Sequence, residues 1–158
     1  MIAAARALPK GWHLRIKEHP SATQPLRHLI EAAGGPVRLD NRTDTFAQVT
    51  QSRAVVTVNS SVGLQAFYFG KPVLVLGEAF WCFDDLATPA GAPDALEAAF
   101  NRAGDLGFDA PARDAFMAYL TERHFPTQAD ILSGRWGLAQ LAMREGERKA
   151  LLEASEHP

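Results

Sequence analysis

Apolar and polar positions along this chain change period several times, and each change marks an element. Residues 1 to 8 read as a short Ala-rich helix closed by Pro9. In "WHLRI", 12 to 16, apolar and polar residues alternate, which predicts a strand. From 24 to 33 the apolar residues Leu26, Leu29, Ile30 and Ala33 recur at helical spacing, with Thr23 placed as a cap and Gly34 and Gly35 as the stop. "VRL", 37 to 39, predicts a second strand, and a helix follows at roughly 43 to 51 with Phe46, Val49 and Thr50 on one side. "AVVTV", 54 to 58, is a continuous β-branched run of the kind covered on both faces of a sheet. "SVGLQAFYF", 61 to 69, predicts a helix ended by Gly70, and "PVLVLG", 72 to 77, another buried strand.

Strands and helices alternating at this spacing form a βαβ series, which predicts a parallel sheet flanked by helices, an α/β fold. After residue 78 the character changes. "AFWCFDDLATPAGAP", 79 to 93, reads as a loop with an aromatic cluster, and three helical segments follow at about 93 to 103, 111 to 124 and 136 to 153.

The carboxyl ends of parallel strands share one edge, where ligands bind in open α/β sheets. The residues just past each predicted strand are Lys17-Glu18-His19-Pro20, Asp40-Asn41, Asn59-Ser60-Ser61 and Gly77-Glu78. A helix opening near Val62 leaves amides without partners and carries a positive dipole end, so Ser60 and Ser61 stand where an anion is held. Gly63 lets a phosphate approach the backbone. The same serine, or Asn59, also suits a plain N-cap. Pro20 holds His19 extended, so its imidazole can meet a phosphate oxygen, and Lys17 shares its face if the strand continues that far. A solvent-facing loop histidine is the plainer reading of the same pair. His13 and His28 read as structural. Phe80, Trp81 and Phe83 either cover the core or stack on a base.

Composition narrows the classes without adding a site. The 158 residues allow one well-buried domain; 22% are charged and the formal net charge is −2, which argues against nucleic acid as a partner. One cysteine, Cys82, leaves no internal disulfide or Cys-cluster metal site, and the five histidines show no zinc spacing, so no metal or other cofactor is expected. GxSxG, GxGxxG and GxxxxGK[ST] motifs are missing. The amino terminus is not a signal peptide, and no apolar run is long enough to cross a membrane. A cytoplasmic protein is the expectation, with peripheral inner-membrane attachment left open.

"KEHP", followed some forty residues later by "VVTVNSSVGLQAFYFGKPVLVLGEAFW", resembles the carboxyl-terminal half of the bacterial capsule polysaccharide biosynthesis and export family, which includes β-Kdo glycosyltransferases. The resemblance spans roughly residues 12 to 90. It implies the donor-binding half of a GT-B glycosyltransferase, a Rossmann-like core at 1–92 with a helical extension at 93–158. CMP-Kdo would be the donor, bound without metal. Paired His-Pro and Ser/Thr motifs also mark bacterial sialyltransferases, which use CMP donors. Carried over by position, Lys17, His19, Pro20, Ser60 and Ser61 would contact the nucleotide phosphate, with Asn59, Val62 and Gly63 shaping its pocket. Gln65, which stands where related sequences often carry an acid, and Glu78 are candidate sugar or ribose contacts. The resemblance further implies that the general base and the acceptor site, for a glycolipid or oligosaccharide, belong to an amino-terminal half missing from this chain. The chain would then need that half, or a second copy of itself, for catalysis. Two rivals stand beside this reading: a UDP-sugar-dependent transferase or epimerase-like domain, and a non-catalytic module that docks a partner through its aromatic loop.

Overall fold

The computed structural model describes residues 2, 4–19, 22–83 and 85–134. Two compact units divide the chain, Met1–Arg113 and Asp114–Pro158.

Among the described residues the first unit holds five short strands, all paired in parallel. β1 (Leu14–Ile16) lies beside β2 (Val37–Leu39), with Leu14 opposite Val37 and Ile16 opposite Leu39. β3 (Val55–Thr57), β4 (Val73–Val75) and β5 (Thr88–Pro89) form a second set in that order. Parallel pairing demands a crossover between neighbours: α1 (Arg27–Ala33) joins β1 to β2, and α3 (Ser61–Gln65), continuing as a 3-10 turn through Phe69, joins β3 to β4, while α2 (Thr45–Gln51) links the two sets. The α/β, Rossmann-like class expected from the periodicity is therefore the observed one, although the ladder breaks into two sets.

A shared core joins the two sets. Ala5, Ile16, Ile30, Val37, Leu74, Ala90, Leu96, Ala99 and Phe100 form one buried cluster, drawn from β1, β2, β4, α1 and α4 (Pro93–Asn101), with a 3-10 turn at Ala4–Ala7. Leu74 faces that cluster, so the alternation of a strand turns Val73 and Val75, both buried, to the opposite face. β4 is thus covered on both sides. β3 is not: its residues are only half-buried and Val58 is 58% exposed, which corrects the expectation of a fully enclosed strand at 54–58.

Several boundaries also move. α1 starts at Arg27 because Pro25 precedes it, and Thr23 does not cap it. Gly34, at φ 56, ends it as expected. β5 lies within the stretch read as a loop. α5 (Ala110–Tyr119) runs on as a π-helical turn, Leu120–His124. In the second unit α6 (Gln128–Leu132) opens on a Thr127–Asp130 capping box, in the stretch between the helices expected at 111–124 and 136–153. The helix expected at 136–153 lies outside the described residues.

Candidate functional site

Where β1 ends, Lys17, Glu18 and His19 turn away from the strand, and where β2 ends, Asp40 and Asn41 do the same. The Asp40 carboxylate accepts from the amides of Arg42 (3.1 Å) and Thr43 (3.0 Å), a local turn that redirects the chain into α2. Lys17 Nζ donates to the Thr43 carbonyl, and Gln48 Nε2 donates to the carbonyls of Asp40 (2.8 Å) and Thr43 (3.1 Å). Lys17 is therefore engaged with the neighbouring loop.

Glu18 and Asn41 meet through two bonds. The Glu18 amide donates to Asn41 Oδ1 at 3.0 Å, and Asn41 Nδ2 donates to Glu18 Oε2 at 2.6 Å. The other carboxylate oxygen, Oε1, accepts from the Leu26 amide at the start of α1. These bonds, chiefly the one from Leu26, hold the Glu18 carboxyl below its ordinary range. Lys17, Glu18, His19, Ala22, Pro25 and Asn41 line a cleft of about 570 Å³. His19 is exposed there, and its carbonyl accepts from the Ala22 amide at 2.9 Å.

At the end of β3 the serines take an ordered geometry. Ser60 is the N-cap of α3: its hydroxyl oxygen accepts from the Val62 amide at 3.2 Å, while its own amide donates to Thr57 Oγ1 at 3.1 Å. Because the Val62 bond uses an oxygen lone pair, the hydroxyl hydrogen stays available as a donor. Asn59, Ser60 and Ser61 are exposed, as is Glu78, while Val62 and Gln65 are half-buried. The pairing of β3 and β4 continues past their ends, with the Gly77 amide donating to the Val58 carbonyl at 3.0 Å, so Asn59–Ser61 and Glu78 leave adjacent strand tips.

Gly63 has a different task from the one its sequence position suggests. A β-carbon there would lie 2.5 Å from Trp81 Cη2 and 2.7 Å from Thr57 Cγ2. The missing side chain makes room for Trp81, which is 1% exposed and meets Phe67 edge-on at 5.6 Å. The aromatic loop accordingly splits: Trp81 enters the core, whereas Phe80 and Phe83 are 60% and 54% exposed. No contiguous exposed patch of all three exists, and that counts against the docking-module reading.

The structure thus brings Lys17, His19, Glu18 and Asn41 around one cleft, and Asn59, Ser60, Ser61 and Glu78 onto adjacent tips of the other strand set. The serines are outside the cleft's lining. Pro20 lies outside the described residues. Glu18 and Asn41 gave one sequence signal, their place on the rim, but their reciprocal bonding depends on two loops that are 23 residues apart in sequence. Buried Arg113 gave none.

Comparison with known proteins supplies the family. The description "Capsule polysaccharide biosynthesis protein" matches residues 2–125. "Protein FixF" of Sinorhizobium fredii (strain NBRC 101917 / NGR234) is 31% identical over 126 residues, which cover 76% of this chain and 29% of that protein. The chain therefore spans less than a third of that relative's length. No solved structure matches it. The match takes in both the "KEHP" and the "NSSVG" segments with every described strand, and this chain belongs to the capsule polysaccharide biosynthesis protein family.

Proposed function

We propose that this chain is the donor-binding domain of a GT-B glycosyltransferase that uses a CMP-Kdo-type sugar nucleotide, acting with a further half that supplies the acceptor site. The observation that carries the reading is the family match over residues 2–125, taken with a histidine and a serine pair at the carboxyl ends of parallel strands. In the complete enzyme a base from the other half removes the proton of an acceptor hydroxyl. The resulting oxygen attacks the anomeric carbon, and the bond from that carbon to the phosphate oxygen breaks, its electron pair leaving with CMP. His19, Ser60 and Ser61 donate hydrogen bonds to the departing phosphate, and Gln65 and Glu78 contact ribose or sugar. Asn59 and Val62 shape the pocket around the serines, with Gly63 making room for Trp81.

Thermal shift with millimolar CMP tests this. The expected result is a raised Tm with CMP and none with UDP, lost in the variant carrying His19→Ala and Ser61→Ala. A shift with UDP alone would favour a UDP-sugar enzyme, and no shift with either nucleotide would sink the donor-domain reading.

A further inference from the structure

We propose that Glu18 and Asn41 act as a positioning pair that fixes the His19 segment at its cleft, by clamping the loops after β1 and β2 to the first turn of α1. The donor pattern leaves one arrangement of the pair. A backbone N–H can only donate and a carboxylate can only accept, so Asn41 must turn Oδ1 toward the Glu18 amide and Nδ2 toward the Glu18 carboxylate. The second carboxylate oxygen takes the Leu26 amide, one of the orphan donors at the start of α1, whose N-cap residue makes no side-chain cap bond of its own. Three segments thereby converge on one side chain, and His19 is the next residue along. Lys17, on the other side of Glu18, is bonded to the Thr43 carbonyl. His19 is thus preceded by two residues whose side chains are both tied to the loop after β2. Its direction into the cleft follows from that anchoring.

A swap of hydrogen-bond roles separates positioning from plain stabilisation. Glu18→Gln leaves one acceptor for two donors, so a donor then faces a donor. Asn41→Asp sets two carboxylates against each other. Combined, the amide introduced at 18 donates to the carboxylate introduced at 41, so all three bonds return, the roles inverted only in the bond between the two side chains. The full-length protein and the three variants would be compared by the NMR signals of the His19 imidazole and by CMP titration, with Tm as the folding control. Each single variant is expected to displace the His19 signals and to weaken CMP binding about tenfold, the scale of one charge-assisted hydrogen bond. The double variant is expected to restore both to within about twofold of the parent. Unmoved His19 signals in the single variants, or a double variant as impaired as the two singles combined, would overturn the proposal. Only the CMP arm rests on the donor-domain reading. If the parent binds no CMP, that reading fails, and the positioning pair is judged on the His19 signals alone.

Discussion

At Gly63 the chain has no room for one methyl group, because the site of a β-carbon lies 2.5 Å from the edge of Trp81. Gly63→Ala is expected to destabilise the fold by about 1–3 kcal/mol through overpacking, read as a lower denaturant midpoint with an unchanged slope. Arg113 is the opposite case, a large charged group that is 2% exposed. Its guanidinium lies 4.1 Å from the Phe67 ring centre and 3.5 Å from that of Phe108. It donates from Nε (2.8 Å) and Nη2 to the Leu86 carbonyl and from Nη1 to the Lys71 carbonyl at 2.7 Å. Burial lowers its pKa to about 10, which still leaves it charged at neutral pH. Arg113→Met keeps much of the volume but removes every one of these donors. A loss of about 2–4 kcal/mol is expected in denaturant unfolding, most of it from carbonyls deprived of a charged donor. Neither role is visible in the sequence: Gly63 reads as a phosphate approach, and Arg113 as one more polar residue of a helix.

Among the elements, helix starts follow local chemistry more faithfully than strand limits do. α2 opens on Asp44, whose Oδ1 accepts from the amides of Phe46 (2.9 Å) and Ala47 (3.0 Å). α3 opens on Ser60, one of the two residues that its sequence offered as a cap. Ser60→Ala is expected to cost about 0.5–2 kcal/mol in denaturant unfolding whether or not the serine also holds an anion. If the hydroxyl serves a nucleotide as well, the same variant weakens CMP binding beyond what Ser61→Ala alone does, and paired titrations read the two effects separately. α1 breaks the pattern. The amide of its N-cap residue, Leu26, is accepted by Glu18 from the far end of the same loop, so no adjacent cap needed to be encoded, and Thr23 does not serve as one. β5 carries no strand signal in the sequence, since Thr88-Pro89 reads as part of a loop. Proline cannot donate to a ladder, and the strand is two residues long at the end of its set.

Across the whole molecule, acid is the condition that tests the carboxylate anchoring. Glu18, Asp40 and Asp44 are all held below their ordinary ranges. The largest cause in each case is a backbone amide: that of Leu26 for Glu18, of Thr43 for Asp40 and of Ala47 for Asp44. A carboxyl whose folded pKa is depressed contributes stability above its unfolded pKa and loses it as the pH falls through the folded value. The parent is therefore expected to lose Tm on acidification below the usual carboxylate range. The E18Q variant should lose less over the same interval, since it lacks one of the three groups. Equal acid sensitivity in parent and variant would show that Glu18 has no part in it.

Periodicity alone determined the α/β class, the parallel pairing and the order of the helices through residue 101, because burial on one face or on both imposes a repeat that the chain must carry locally. It also placed His19 and the serine pair at strand ends, since parallel topology makes that edge common. Tertiary structure alone decided that Gly63 yields its space to Trp81, that only one aromatic of the loop is buried, that Arg113 lies between two rings, and that Glu18 reaches Asn41 and α1. Each of these depends on which distant atoms come within about 3–4 Å of one another. Contacts at that range are set by packing between elements, which no local pattern records.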